Sequence, residues 1–493
     1  MMTHRIVTVG LACALFVGSM RRASAQTPAA PLSRADSALV MRILTAEDRR
    51  DASSAALREG EAHSDDRVRV IARRARLRIG DAKFTARDSL PAIPAPPSYP
   101  DASWRLRYRA LATRPVSCDS IRSALGDKVW AVRLRAADLA TPACASDATI
   151  LTTLQRWANS PPANARRRAG EPGWHSSAHA VVALARIAPP TARPLVRRYA
   201  TSPVPWLRMY AAGAATALGD TATLRALAAD ANDNVRQIAI DSLSRVAGHS
   251  GDDVYLRALD SRGYQVIRAA ARALKGSPRS QDVVAAARPV LARLRADSSE
   301  TSHDARAALG DRLKEFGDST SIDLTRPPTA MAVPADAVAL ALGRDYRLRV
   351  VLADSSGGGS FVVRLRGDAA PIMAARVLSL ARAGWYNGRT WYRVEPDFVI
   401  QGGGPGSNEY VGHPRYMRDE LSTLPQVRGT VGMSTRGHDT GDAQWFINLR
   451  DNQRLTRDYT AFGEVTEGID VVDGILEGDV IERIEVLPPK VRD

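Results

Sequence analysis

Apolar positions recur along this chain with two different periods. From about residue 33 to residue 315 they return every three or four places, as in Val68, Ile71, Ala72, Ala75, Ile79 and in Val235, Ile238, Ala239, Ser242, Val246. That spacing lines one face of an α-helix. Beyond residue 340 they return every second place. Leu348 and Val350, then Phe361, Val363 and Leu365, alternate like half-buried strands joined by a turn at Gly357-Gly358-Gly359. Ser33-Arg34-Ala35-Asp36 predicts a capping box at the start of the first helix, and Ala370-Pro371 predicts a later helix running through Leu378 and Leu380 to Ala383-Gly384. Strands and turns dominate the remainder.

The helical part repeats. An apolar residue followed by Arg, with Ala three places beyond the Arg, occurs at Val68-Arg69, Leu106-Arg107, Val132-Arg133, Leu207-Arg208, Val235-Arg236 and Ile267-Arg268. Copies start 26 to 38 residues apart, except for a gap of 75 that fits two units, the middle one degenerate around His179 to Ile187. A unit that cannot bury its own stripe must stack on its neighbours, which predicts an all-α solenoid. The copies resemble HEAT repeats of the short, alanine-rich kind, in which an Asp ahead of the Val-Arg pair introduces the helix, as in Asp65-Asp66-Arg67-Val68-Arg69 and Asp233-Asn234-Val235-Arg236. The recurring arginines are expected to pair with aspartates between stacked units. Proline-rich Leu90 to Pro100 and the stretch Asn159 to Trp174, with Arg166-Arg167-Arg168, are expected surface loops.

This gives a helical array over residues 33–320, a proline-containing linker over 321–342 with Pro327-Pro328 and Pro334, and a strand-rich domain over 343–488. The 493 residues, 45% hydrophobic, suit two or three domains. The net charge of +15 is uneven: residues 340–493 carry 19 Lys and Arg against 21 Asp and Glu, and residues 1–339 carry 49 against 32. The basicity therefore belongs to the helices. It reads as a solvated arginine face or as a surface for an acidic protein partner, and no nucleic acid is expected.

Residues 1–25 read as a secretory signal: Arg5, an apolar run from Ile6 to Met20, and Ala23-Ser24-Ala25, with cleavage expected after Ala25 and a leader over 26–32. Export, to a bacterial periplasm, follows as the expectation, with no transmembrane segment after signal removal. Cys13 leaves with the signal. Cys118 and Cys144, 26 residues apart, are then either a disulfide or two free buried thiols.

The chemistry centres on Tyr392-Arg393-Val394-Glu395-Pro396-Asp397-Phe398-Val399-Ile400-Gln401-Gly402-Gly403, a β-prone run holding one arginine, one glutamine and apolar residues at near-alternating positions. Together with Gly384-Trp385-Tyr386-Asn387-Gly388, Arg428-Gly429-Thr430-Val431-Gly432-Met433, Gln444-Trp445-Phe446-Ile447 and Phe462-Gly463-Glu464-Val465, it resembles a cyclophilin-type peptidyl-prolyl cis-trans isomerase over about residues 346–487. The resemblance implies a closed eight-stranded antiparallel β-barrel with two capping helices and a groove on its outer face. It also implies that Arg393 is the catalytic arginine. Phe398, Val399, Phe446 and Leu455 would line a proline pocket, with Tyr459 where many members have histidine. Gln401 and Gln444 would hold substrate backbone, and the main chain at Ser434 and Thr435 would pair with an extended peptide. The substrates implied are proline-containing segments of exported proteins.

Elementary chemistry agrees. Amide resonance sets a barrier of about 18 to 20 kcal/mol to rotation of a peptide bond. No bond to a nucleophile is needed, so no metal or cofactor is expected. A donor that hydrogen-bonds the prolyl nitrogen as its lone pair localises is enough, and arginine is an always-charged, purely donating group. The chain departs from the family at Asp442-Ala443, where Gly-Ser is common, at Trp445 in place of a first Phe, and at Thr456-Arg457 in place of Asp-Gly. These changes leave rate and peptide preference open. A competing reading makes the chain a non-catalytic scaffold or chaperone, in which the basic solenoid recruits a partner and the barrel only binds proline-containing segments.

Overall fold

The computed structural model describes residues 31–81, 84–85, 90–111, 116–160, 170–318 and 331–488. The signal-like segment 1–25, Arg166-Arg167-Arg168 and Pro327-Pro328 lie outside the described residues.

Some local signals act as read. Ser33 and Asp36 form a reciprocal capping box on helix Arg34–Arg49. Asp65 caps helix Asp66–Gly80, and Asn232, one place ahead of the expected Asp233, caps Asp233–Ala247 through the amides of Asn234 and Val235; helix Trp130–Leu139, which carries Val132-Arg133, follows Val129 with no side-chain cap. The degenerate middle unit is the pair His175–Ile187 and Pro189–Ala200. Arginines and aspartates of successive units form a ladder: Arg107–Asp127 at 2.6 Å, Arg122–Asp147 at 2.5 Å, Arg208–Asp230 at 2.7 Å, Arg225–Asp253 at 2.9 Å and Arg288–Asp318 at 2.5 Å. Cys118 and Cys144 are joined in a disulfide with Cα atoms 5.5 Å apart, tying the start of helix Cys118–Leu125 to the turn Pro142–Cys144.

The strand-rich part is a closed antiparallel barrel. Its strands are β1 Arg347–Leu352, β2 Ser360–Leu365, β3 Thr390–Val394, β4 Val399–Gly402, β5 Thr430–Met433, β6 Trp445–Asn448, β7 Ala461–Glu467 and β8 Asp479–Leu487. They close in the order β1-β2-β7-β5-β6-β4-β3-β8. Closure removes the exposed edges that an open sheet would have to protect. Helices Pro371–Arg382 and Ile469–Asp473 accompany the barrel.

Burial follows a different division from the sequence pattern. Leu39, Ile43, Leu44, Leu57 and Ile71 of the first helices share one apolar core with the barrel's Phe361, Leu378 and Trp391. The helices from about residue 111 onward build a second core of their own. Helix Asp336–Ala341, inside the stretch read as linker, is likewise packed into the barrel core through Ala337 and Leu340. Leu90 to Pro100 forms no helix or strand, yet it is tied to the barrel rather than simply solvated. Pro94 O accepts from Arg366 Nη2 at 2.6 Å, Pro100 O accepts from Arg428 Nε at 3.2 Å, and Tyr99 OH donates to Val465 O at 2.9 Å. Prolines lack an N–H but keep a good acceptor, which suits a strap over arginines.

Buried ion pairs fasten the two parts. Arg376 meets Asp48 through two hydrogen bonds of 2.9 and 2.8 Å. Arg78, 3% exposed, donates to Glu47 at 2.6 Å and lies 3.6 Å from Glu420. Glu420 accepts from the Ile372 and Met373 amides at the start of helix Pro371–Arg382. Burial, with the Glu47 carboxylate beside it, pushes Glu420 up to about 7. A carboxyl whose folded pKa lies above its unfolded value near 4.5 contributes stability that is complete below pH 4.5 and lost as pH rises through 7. The protein should therefore be less stable at pH 8 than at pH 5.5, by about 2 kcal/mol from this group, and melt at a lower temperature. Glu420→Gln should flatten that slope; an unchanged slope would remove Glu420 as its cause.

Candidate active site

Period-2 alternation places the groove. On β4, Ile400 points into the barrel core while Val399 and Gln401 face outward. On β6, Trp445 and Ile447 point inward and Phe446 outward, opposite Gln401 in the register. Arg393 needs more than alternation. On a regular β3 it would share the face of Trp391, which lies wholly inside. The pairing of β3 with β4 shifts register between Trp391 and Arg393, leaving Tyr392 as an extra residue. This β-bulge turns Tyr392 and Arg393 together toward Gln401, the local re-aiming that bulges provide.

Outside the barrel wall, Val399, Phe446 and Leu455 form a small buried cluster with half-buried Phe398 and Tyr459 packed on it. The Phe446 and Tyr459 rings meet edge to face at 5.5 Å. Gly432 on β5 makes room: a Cβ there would stand 2.4 Å from Phe446 Cζ. Arg393 lies at the rim, its guanidinium carbon 5.8 Å from the centre of the Phe398 ring, with Arg454 over the same ring at 4.9 Å. The side chain of Arg393 is 42% exposed.

The guanidinium is held on two sides. Nε donates to Glu395 Oε1 at 2.8 Å, Nη2 reaches the same oxygen, and Nη1 donates to Gln401 Oε1 at 3.3 Å. Three of five N–H donors are thus engaged and two remain for a substrate. Gln401, 5% exposed, is itself fixed, because its amide donates to Ser434 Oγ at 2.8 Å and to Tyr392 OH. Gln401 therefore positions Arg393 and bridges it to the Ser434 wall, where half-buried Thr435 follows. Gln444 lies behind that wall. It is 1% exposed, and its amide donates to Asp442 Oδ2 at 3.1 Å and Glu409 O at 3.4 Å.

Sequence reasoning missed three contributors. Glu395, between Val394 and Pro396, received no role, and its two-residue offset from Arg393 on a strand is the signal that could have found it. Arg454 flanks Phe398 opposite Arg393. Arg436, two residues past Ser434, joins the groove wall to the solenoid: it donates to Tyr416 OH at 3.1 Å and Asp442 at 3.2 Å, and lies 2.5 Å from Asp304 of helix His303–Glu315. The solenoid also touches the rim directly. Arg105 donates to Pro396 O at 2.8 Å, and Arg109 to Asp397 at 2.7 Å, just ahead of Phe398.

Residues 350–491 match the family model described as cyclophilin type peptidyl-prolyl cis-trans isomerase. A peptidyl-prolyl cis-trans isomerase of Helicobacter pylori is 35% identical over 130 residues, which cover 26% of this chain and 80% of that protein. The chain belongs to the cyclophilin-type peptidyl-prolyl cis-trans isomerase family. Peptidyl-prolyl cis-trans isomerase B of Bacillus subtilis is 34% identical over 131 residues, covering 26% of this chain and 92% of that protein. A crystal structure of a cyclophilin type isomerase from Cryptosporidium parvum covers 29% of this chain and 98% of its own, at 21% identity and a TM-score of 0.28. Residues 174–244 match the HEAT repeat model.

Within the cyclophilin barrel, two departures from the family lie inside or behind the groove wall. Trp445 fills the barrel core, 5.2 Å from Trp391 and 6.4 Å from Phe462. Asp442 is buried against Arg436, and burial, the larger influence, pushes its carboxyl up to about 6. Among the described residues no group of three or more His, Cys, Asp or Glu could hold a metal ion, and no helix is long and apolar enough to cross a membrane.

Proposed function

We propose that this chain is an exported prolyl isomerase that accelerates X-Pro rotation in proline-containing segments of exported proteins, with the helical array contributing to client binding. The observation that carries the isomerase reading is the placement of Arg393, turned by the bulge to the rim of the Phe398, Val399, Phe446, Leu455 and Tyr459 cluster.

In that reading the apolar cluster seats the pyrrolidine ring and holds one side of the bond. The Ser434-Thr435 edge holds the chain on the other side. As the amide twists, the nitrogen lone pair localises and becomes an acceptor, and a free N–H of Arg393 donates to it. That hydrogen bond is weak in the planar ground state and strong in the twisted one, so it lowers the barrier instead of only tightening binding. Glu395 and Gln401 keep the guanidinium in place beforehand, so little reorganisation accompanies the twist. No proton changes owner and no covalent intermediate forms.

Export is supported by the apolar run and Ala23-Ser24-Ala25 of the sequence, and by the Cys118–Cys144 disulfide, which suits an oxidising compartment such as the periplasm. A protease-free prolyl-isomerisation assay on the full chain tests the activity, and a rate equal to buffer would end the enzyme reading. The full chain is the right material, because a barrel cut at residue 340 would lose Leu39, Ile43 and Leu57 from its core. Mass analysis of the protein recovered from envelope fractions tests export; a mature chain starting anywhere other than Gln26 would contradict the expected cleavage.

A further inference from the structure

Many solenoid arginines are paired with an aspartate, and among those that are not, three stand together. Arg245 on helix Asp233–Ala247 and Arg268 and Arg272 on helix Tyr264–Ala273 line a cleft of about 460 Å³ with Gln237, Asp241 and Tyr410. None of the three arginines has a carboxylate within 4.0 Å among the described residues, in contrast with the ladder of Arg107, Arg122, Arg208, Arg225 and Arg288. The cleft holds one carboxyl of its own, Asp241, to which Gln237 donates at 3.4 Å; burial raises its pKa against the pull of Arg268, Arg245 and Arg272, so a single carboxyl faces three guanidinium groups. The guanidinium carbon of Arg268 stands over the Tyr410 ring, 4.4 Å from its centre, and Arg245 and Arg272 are exposed. Three guanidinium groups in one concave, incompletely neutralised cleft concentrate positive potential.

The cleft is tied to the groove through one short segment. Tyr410 forms its wall on the barrel side. The adjoining Glu409 O accepts from Gln444 and from Arg436, the residues behind the Ser434 edge. Asn234 clamps the same loop, donating to Gly406 O at 2.9 Å and accepting from Asn408 at 2.8 Å, so cleft and groove are held in fixed relation. We propose that this cleft is a second subsite for the client, taking acidic side chains that flank the proline seated beside Arg393. This rests on the isomerase reading and deepens it: the solenoid selects acidic-flanked proline segments. Arginine forks suit carboxylates, and a second contact along one polypeptide raises its effective concentration at the groove.

The test compares three Ala-Pro peptides on the full chain: one with neutral flanks, one with three glutamates before the Ala-Pro unit, and one with three after it. In wild type at about 50 mM salt, one acidic peptide should show a KM about tenfold below the neutral peptide, and the advantage should fade at about 500 mM salt. The double variant Arg245→Glu/Arg272→Glu, both sites exposed, should lose the advantage while turning over the neutral peptide as wild type does. Equal KM for all three peptides in wild type, or an advantage kept by the double variant, would overturn the subsite. If no peptide is isomerised, the isomerase reading fails. Fluorescence anisotropy of the labelled acidic peptides, with wild type and the double variant, then decides the cleft separately.

Discussion

Replacing Arg393 with alanine is expected to lower kcat/KM for prolyl isomerisation by about two orders of magnitude while leaving the melting temperature within about a degree. The size follows from the bond lost. A charge-assisted hydrogen bond contributes roughly 1.5 to 3 kcal/mol net, and each 1.36 kcal/mol of transition-state stabilisation is about tenfold in rate. The stability expectation follows from position, since the side chain is 42% exposed and its ion partner Glu395 is 49% exposed, a pair worth little to the fold. Because the hydrogen bond strengthens on twisting, the loss should fall on kcat more than on KM. Arg393→Lys should recover only part of the rate, because an ammonium cannot keep both the Glu395 and the Gln401 contacts and still present a donor to the substrate. A stopped-flow assay without coupled protease separates these outcomes, and wild-type kcat/KM in Arg393→Ala would remove the arginine from the mechanism.

Much of this site was legible through the family resemblance, which named Arg393, Val399, Gln401 and Phe446, and outward alternation on β4 and β6 is what puts Val399, Gln401 and Phe446 on one face. The reason Arg393 shares that face was not legible. Strict alternation from Trp391 buries it, and only the extra residue Tyr392 in the pairing with β4 turns it out. A bulge depends on the partner strand's register, which lies eight residues further on and leaves no local mark. Glu395 was passed over for a related reason. A glutamate between valine and proline reads as a solvated strand end until its contact with the Arg393 guanidinium is seen.

The solenoid was legible as a period, while the N-cap signal holds at Asp65 and Asn232 and not at the other repeat copies. Its relation to the barrel was not, because the long-range partners are ordinary surface types by composition. Arg78 and Arg105 look like members of a basic helical face, yet each is buried against a carboxylate of the barrel part, Glu420 and Asp473. Leu39, Ile43 and Leu44 form a normal helical stripe, and nothing in the stripe distinguishes stacking on another helix from stacking on the barrel. The positive charge of residues 1–339 therefore divides into arginines consumed by the fold and a smaller set, including Arg245 and Arg272, left for solvent or a ligand.

That division gives the largest expected loss of stability. Asp473, at the end of helix Ile469–Asp473, accepts from Arg105 Nη2 at 2.7 Å and from Arg428 Nη1 and Nη2 at 2.8 Å each. Arg105 is fully buried and belongs to the solenoid; Arg428 is 5% exposed and belongs to the barrel. One carboxylate thus answers two buried guanidinium groups across the junction. Removing one partner of a buried pair costs about 3 to 5 kcal/mol, because the charge left behind has no water to return to. Asp473→Ala should therefore destabilise the protein by that amount or more in urea unfolding, against 1 kcal/mol or less for an exposed ladder residue such as Asp253. The loss should also reach the groove. Arg105 holds Pro396 O at 2.8 Å, next to Asp397 and Phe398, so KM should rise several-fold at temperatures where the variant remains folded. Asp473→Asn, which keeps one acceptor but no charge, should fall between. An Asp473→Ala protein with an unchanged urea midpoint would show that the two arginines find other partners, and that the solenoid and barrel are held together chiefly by the apolar core around Leu39, Ile43 and Leu57.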